Sequence, residues 1–369
     1  MIKISFLDIF YSIAPLPMKL FKALDYLAGG MAAFLSPSLP GKSPPKKIQK
    51  ILIIRPGGIG DAVFLLPILK VLKDQGLIID ILCEKRNVEV FNSQSRLFNK
   101  VYLYDQQPLA VFANYYDVVV DTEQWHYLSA LTACFVPSSY KIGFATRPRR
   151  AKLFHKAVKY GVDEYELDNF LRLFEDIIMP GAIKALESCF EVDLSAQDWA
   201  KGQIKDDFVT VFLGASIIPR RLNEGQIKAI VSYFLAENYS VVFLGGSDVQ
   251  DVAQKMTAKI DSPKIFNNAG KLSLMQSAAL IQRSALFIGP DSGLLHLACA
   301  LDVPVLGIFS TGNLTKWGPK GEKHKVITDN VPCSPCTRFG YTIPTCHGSY
   351  HCIRNLNLTN RIKDKIHGL

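Results

Sequence analysis

No two aspartates in this chain of 369 residues are separated by a single residue. The Asp-x-Asp pair that fixes a divalent metal on a diphosphate is therefore missing, and chemistry at such a group would fall to basic side chains and helix N-termini. Repeats, low-complexity tracts and long linkers are also lacking, which excludes solenoids and disordered arrays. In the N-terminal segment the uncharged run Tyr26–Gly41 falls short of the ~20 apolar residues of a spanning helix and is broken by Gly and Pro. Asp8, inside the first apolar run, argues against a cleaved signal peptide. Helix-turn-helix, RNA-recognition and zinc-finger patterns are missing, and the Arg147–Arg150 cluster has no aromatic residues between its charges to stack bases. Nucleic acid is thus not the expected partner, although the chain carries a net charge of +9.

What is present describes a globular protein with two substantial cores. Hydrophobic residues make up 49% and charged residues 20%, and apolar runs alternate with amphipathic stretches, the pattern of an α/β protein. The basicity is local. The first 47 residues carry +4 and Lys141–Tyr160 carries +7, so the remaining sequence is slightly acidic. Two such patches suit an anionic lipid surface, or the acidic sugars and phosphates of a lipid-linked glycan, with a solvated charged face as the alternative.

Residues 1–47 form an N-terminal extension. Ile4–Ala14 is apolar and ends at Pro15 and Pro17, and Ser43–Lys47 reads as a linker. Between them Leu20, Phe21, Leu24, Leu27, Ala28, Met31, Phe34 and Leu35 recur at helical spacing, with Lys19, Lys22 and Asp25 off the stripe. Such a stripe lies either in a membrane interface or against the protein's own surface, and spacing alone does not choose.

A first domain is expected over 48–185. Its predicted strands are Ile51–Arg55, Ile79–Glu84, Val101–Tyr104, Val118–Asp121 and Tyr140–Gly143, with helices Ala62–Lys73, Tyr127–Phe135 and Glu166–Ile178, the last stopped by Pro180-Gly181. A second domain over 186–369 restarts the pattern. Strands are predicted at Val209–Leu213, Val241–Leu244, Ala285–Gly289 and Val303–Phe309, and helices at Gly225–Glu237, Val249–Lys259 and Ser273–Arg283.

Two turns carry the chemistry. The strand KILIIR (Lys50–Arg55) runs into Pro56-Gly57-Gly58-Ile59-Gly60-Asp61, where glycines allow a tight turn and close approach of a ligand. The third position of a dinucleotide fingerprint would be Val63, which is too large and weakens a dehydrogenase reading. Asp61 is either a general base or a helix N-cap. The other turn, Pro290-Asp291-Ser292-Gly293, joins a strand to a helix bearing His296. Asp291 or Ser292 can cap that helix, whose N–H groups would face a phosphate, and Gly293 admits the ligand.

Together these strings resemble glycosyltransferase family 9, the lipopolysaccharide heptosyltransferase family, over roughly residues 48–330. The resemblance implies the GT-B architecture, two Rossmann-like doubly wound domains facing a central cleft. It implies an inverting, metal-independent transfer of a sugar from a nucleotide diphosphate, ADP-heptose being the family's donor, to a lipopolysaccharide core or related lipid-linked glycan. Asp61 falls on the family's acceptor-facing acid, with Gly58 and Gly60 beside it. In Gly214-Ala215-Ser216-Ile217-Ile218-Pro219-Arg220-Arg221 the two arginines fall on a basic pair, while Leu222-Asn223 replaces the family's Trp-Pro. Arg220 would then pair with the departing diphosphate, with Ser216 and Arg221 beside it. Ser292, Gly293, Leu294 and His296 fall on positions that meet the pyrophosphate, and Asp291 would cap the helix or hold the donor's sugar. Asp248 or Asp251 could accept from ribose hydroxyls. Asp121, Glu123, Arg147 and Arg149 are the expected acceptor-side residues. The implied site of action is cytoplasmic, at the inner face of the cytoplasmic membrane. A nucleotide-sugar epimerase of the same fold and a non-catalytic nucleotide-sugar-binding protein are the competing classes.

Four of the eight cysteines fall in one run, Cys333, Cys336, Cys346 and Cys352, with His347 and His351 close by. The Cys-x-x-Cys portion fits a structural zinc, a disulfide or reduced thiols. Cys83, Cys134, Cys189 and Cys299 lie in apolar element patterns and are expected to be buried.

Overall fold

The computed structural model describes residues 9, 12, 16–107, 109–178, 181–183, 188–329, 331–338, 341–343, 346 and 348–366. Most of the apolar run Ile4–Ala14, together with Pro15, Pro180 and His347, lies outside the described residues. The chain divides into two compact units, one of residues 1–185 and 338–343, the other of 186–337 and 344–369.

The first unit holds a six-stranded parallel sheet, β1 (Lys50–Arg55), β2 (Ile78–Cys83), β3 (Lys100–Leu103), β4 (Tyr116–Asp121), β5 (Ser138–Phe144) and β6 (Lys156–Val158). Its order is β3-β2-β1-β4-β5-β6. Ile51, Leu52, Ile53 and Ile54 are all buried, as expected of a central parallel strand covered on both faces. The strand order reverses between β1 and β4, so the turns beyond their carboxyl ends border the switch point where doubly wound folds bind ligands. Helices Ile59–Asp74 and Tyr127–Phe135 follow those two strands.

The second unit repeats the design with β7 (Phe208–Phe212), β8 (Ser240–Leu244), β9 (Ile265–Asn267), β10 (Leu286–Pro290), β11 (Val305–Phe309) and β12 (His324–Thr328). The order β12-β11-β10-β7-β8-β9 places the switch point between β7 and β10. Helix Glu224–Ala236 begins with a capping box, Asn223 accepting from Gln226 N while the Gln226 side chain accepts from Asn223 N. The C-terminal helix Leu358–Ile366 buries Leu358 and Ile362 in this unit's core. Gln226 donates to the carbonyls of Ile353 (2.6 Å) and Leu356 (3.0 Å), tying the segment down.

Strands β6, β9 and β12 are additions to the sequence reading: the first two are only three residues long, and the third is an edge strand. The helix expected over Glu166–Ile178 ends at Leu173. Beyond it, Asp176 pairs with Lys156 at 2.8 Å and accepts from the Tyr140 hydroxyl, tertiary partners that outweigh local helix preference.

The extension forms a helix, Leu16–Leu24, continued by a π-helical turn, Asp25–Gly29, and a further helix, Gly30–Leu35. The buried positions are Ala23, Asp25, Gly30 and Ala33, and the large apolar stripe is exposed. Asp25 accepts from the backbone N–H of Tyr127 (3.0 Å) and Leu128 (2.8 Å) and meets His126 Nδ1 at 3.2 Å. It therefore caps helix Tyr127–Phe135 from a hundred residues upstream, where the helix's own N-cap, His126, makes no such bond. Among the described residues no helix is long and apolar enough to cross a membrane.

Candidate functional site

In the first unit the turn after β1 is organised by Arg55, which the sequence reading passed over. Its guanidinium is buried and donates to the carbonyls of Pro56 (2.7 Å) and Thr122 (2.9 Å) and to Glu123 Oε2 (3.2 Å). The same Nη2 lies 3.6 Å from Asp61 Oδ2, and the Asp61 side chain is 28% exposed. Burial works against the Arg55 charge, but the carboxylates of Asp61 and Glu123 outweigh it and hold the guanidinium protonated. Glu123 also accepts from the backbone N–H of Trp125 (3.0 Å); burial pushes its carboxyl up, and His126, Arg55 and Arg150 together bring it net below the usual range. Lys22, from the extension, faces this acid. Burial pulls it down to about 8, partly offset by Glu123.

Three expectations change here. Asp61 is not the helix cap: Gly58 occupies the N-cap and Asp61 sits in the first turn, where a carboxylate is favoured by the helix dipole. The glycine the turn requires is Gly57, at φ +123°, whereas Gly58 has ordinary extended backbone and Gly60 lies in the helix. Asp121 does not face an acceptor. It is fully buried and paired with Arg150 at 2.6 Å, itself fully buried. An ion taken completely out of water must be paired, and this one is.

The basic patch Lys141–Tyr160 is also smaller than its count suggests. Lys141 is buried and donates to the Val136 carbonyl, Arg150 is spent on Asp121, and Lys156 on Asp176. Arg147 lies over the Trp125 ring at 3.4 Å, with Tyr26 and Tyr127 also near, and so ties the extension to the domain. Arg149 is exposed beside Phe34, 5.2 Å from its ring.

In the second unit the switch point gathers Arg220, Asp291, Ser292 and His296. Arg220 ends a short 3-10 turn after β7 and is buried. Its Nη1 lies 2.7 Å from Asp291 Oδ2, and its Nε donates to Thr311 Oγ1 at 3.2 Å. No described residue hydrogen-bonds Nη2. Asp291 follows β10 directly, and burial raises its carboxyl despite Arg220. Ser292 occupies the N-cap of helix Gly293–Ala300, yet neither it nor Asp291 caps the helix with a side chain. The Ser292 hydroxyl and the hydroxyl of Ser310, beyond β11, are buried with no hydrogen-bond partner among the described residues. Native structures rarely leave such groups unpaired unless a water, an ion or a ligand completes them.

Gly293 is the first residue of that helix, and Leu294 and His296 are buried in it. His296 Nε2 lies 4.0 Å from Asp291 Oδ1. Burial, with the Arg220 charge adding to it, pulls the imidazole down to about 3, so it is neutral near pH 7. At Gly312 an added Cβ would stand 1.9 Å from Asp291 Oδ2, so the carboxylate packs directly on that backbone. Arg221 pairs with Asp248 and donates to the Ala215 carbonyl at 3.1 Å, strapping the turns after β7 and β8 together. Ser216 is exposed on the first of these turns, and Asp251 is exposed in the first turn of helix Gln250–Ile260.

The cysteines of the C-terminal run are free thiols that neighbour one another. Burial, with the Cys352, Cys333 and Cys346 sulfurs, pushes Cys336 up to about 11. Among the described residues no three His, Cys, Asp or Glu side chains are disposed to hold a metal ion. Zinc, one of the three readings of Cys333, Cys336, Cys346 and Cys352, finds no three-ligand arrangement among the described residues: Cys352 is buried in helix His351–Arg354, while the other three are partly exposed. Cys83, Cys134, Cys189 and Cys299 are buried, as expected.

The family model described as glycosyltransferase family 9 (heptosyltransferase) matches residues 110–346. The chain belongs to this family. It is accordingly a glycosyltransferase. Lipopolysaccharide heptosyltransferase 3 of Escherichia coli is 22% identical over 238 residues, 62% of this chain and 69% of that protein. Among solved structures, E. coli ADP-heptose lps heptosyltransferase II superposes with a TM-score of 0.64 at 19% identity, covering 76% of this chain and 91% of that one. E. coli heptosyltransferase WaaC with ADP-2-deoxy-2-fluoro heptose gives 0.64 at 15% identity, covering 86% and 99%. At these identities the superpositions establish the fold, which is GT-B, two Rossmann-like units. The turn after β1 and the Asp-Ser-Gly turn are the strings that resemble family 9 in the sequence. Arg55, Ser310, Thr311 and Gly312 are legible only as polar or small residues closing apolar strands.

Proposed function

We propose that this family 9 enzyme transfers a heptosyl residue from ADP-heptose to a hydroxyl of a lipopolysaccharide core or related lipid-linked glycan, inverting the anomeric centre. The donor belongs to the second unit. The observation that carries this reading is the set of groups beyond β7, β10 and β11: among the described residues, the Arg220 guanidinium has Nη2 unengaged, two buried hydroxyls have no partner, and a helix N-terminus has no side-chain cap. Each is a donor to an anion, and together they suit a diphosphate. Neutral His296 can add a hydrogen bond there without adding charge. Asp248 or Asp251 would receive the ribose.

The acceptor belongs to the first unit, with Asp61 as its base. The acceptor hydroxyl gives its proton to the Asp61 carboxylate as its oxygen bonds to the anomeric carbon. The bond from that carbon to the diphosphate breaks in the same step, and the electron pair leaves on the diphosphate oxygen. Arg220 and the helix N-terminus stabilise that charge, so the mechanism assigns no step to a metal. Arg55 holds Asp61 in place, and Glu123 shares the same guanidinium. The reaction would take place at the cytoplasmic face of the membrane, where lipid-linked acceptors are presented.

The test is to incubate the purified protein with ADP-heptose and a lipid-linked core acceptor, with and without EDTA, and to analyse the product by NMR. Transfer with inverted anomeric configuration, undiminished by EDTA, is expected. An isomerised sugar nucleotide without transfer would instead support an epimerase, and restoration of a chelated activity by Mg²⁺ would overturn the metal-free mechanism.

A further inference from the structure

Among the described residues nothing covers the outward face of the N-terminal helix. Leu20, Leu24, Leu27, Met31, Phe34 and Leu35 are each more than half exposed, although most large apolar side chains elsewhere are buried. These residues fall on one side of the helix, and no charged side chain interrupts them. The opposite side is fixed. Asp25 caps helix Tyr127–Phe135, and Gly29 and Gly30 bring the helix so near Tyr127 that an added Cβ would stand 3.0 and 3.3 Å from that side chain. At the C-terminal end Lys152 Nζ donates to the carbonyls of Phe34 (2.8 Å) and Ser36 (2.7 Å), and Leu39 N donates to Lys152 O at 2.8 Å. The helix is thus held by its small residues, and the stripe is left outside. Rotation to bury the stripe would break every one of these bonds.

We infer that this face lies in the plane of an anionic membrane, its leucines, Met31 and Phe34 entering the acyl boundary, and that it anchors the first unit there. The helix is amphipathic in the sense required of an interfacial segment, apolar outward and protein-packed inward. A spanning role is excluded by geometry, since half its circumference is already committed to protein. Charge decides the occupant. Arg149 and Lys152 flank Phe34 at one end, and exposed Lys42, Lys46 and Lys47 follow the helix, with no acidic residue between Tyr26 and Gln49. Basic side chains at the rim of an apolar face match phosphate headgroups. The inference deepens the reading of a lipid-linked acceptor, but it stands on the extension alone.

The experiment is flotation of the full chain with phosphatidylcholine vesicles, with and without about 30% phosphatidylglycerol, at low salt and at about 0.5 M NaCl. The protein is expected to float with the anionic vesicles, and more weakly at high salt. The variant Leu24→Glu/Leu27→Glu/Met31→Glu alters only exposed positions and should keep a cooperative melt and the thermal shift given by ADP. Its partitioning should fall at least about tenfold. Arg149→Gln should weaken binding about fivefold and reduce its salt dependence. Failure of the protein to float with either vesicle, or equal flotation of the triple variant, would overturn the inference. So would a stable dimer that the triple substitution dissociates without any vesicle binding, because the face would then be covered by a second copy. None of these readouts involves sugar transfer, so the anchoring and the transferase reading fail separately.

Discussion

Arg55 and Asp61 form an ion pair across the turn after β1, with Nη2 and Oδ2 3.6 Å apart, in which the cation is buried and the carboxylate reaches solvent. That asymmetry suits a base. The guanidinium is fixed by two carbonyls and Glu123, so it orients Asp61 without competing for the open side of the carboxylate.

Asp61→Asn should lower turnover by roughly 10²- to 10⁴-fold, the usual range for loss of a general base. Binding of the nucleotide diphosphate, measured by calorimetry, should be nearly unchanged. Near wild-type turnover would make Asp61 dispensable and Glu123 the candidate base.

Arg220→Lys should weaken ADP binding and slow turnover, with a cost of about 1.5–3 kcal/mol for a charged hydrogen-bonding partner. Arg220→Ala should in addition lower the melting temperature, since it leaves Asp291 buried without its cation. If both variants bind ADP as the wild type does, the diphosphate sits elsewhere.

Asp121→Ala should destabilise the protein strongly, by about 3–5 kcal/mol, because it strands the buried Arg150. Chemical denaturation reads this directly. In the protein that remains folded, KM for the acceptor should be unaltered, which separates a structural carboxylate from an acceptor ligand.

His296 makes stability depend on pH with a defined sign. Its folded pKa, about 3, lies below the ordinary 6.5, so between those values the unfolded chain binds a proton that the folded chain does not. Its contribution is complete above pH 6.5 and is lost as the pH falls toward 3. His296→Gln should remove up to ~1.4 kcal/mol per pH unit from the slope of stability across that window. Identical slopes for variant and wild type would show that the imidazole is not buried in the neutral form.

Much of this was legible in the sequence because strands and helices in parallel sheets announce themselves by unbroken apolar runs and by caps. Tyr127–Phe135 was bounded to the residue, and β1, β7, β8, β10 and β11 to within a residue or two. The candidate donor residues Arg220, Asp291, Ser292 and His296 converge because strand ends at a switch point are neighbours by topology. What sequence could not supply is the pairing of buried charges. Asp121 and Asp61 look alike as acids after strands, and only tertiary contact shows that Arg150 consumes one while Arg55 presents the other. The stripe of the extension was visible, but which side of the helix meets protein depended on Asp25, whose partners lie a hundred residues away.

The Asp25 cap makes the extension and the helix after β4 a single cooperative piece. Deleting residues 1–47 would remove more than an anchor. It would strip two backbone N–H groups of their acceptor and uncover Tyr127, so a shortened chain should fray at that helix and aggregate from a freshly opened surface. Handling this enzyme in detergent-free buffer is better served by repainting the outer helix face with polar residues and leaving the segment in place. Its inner face belongs to the fold.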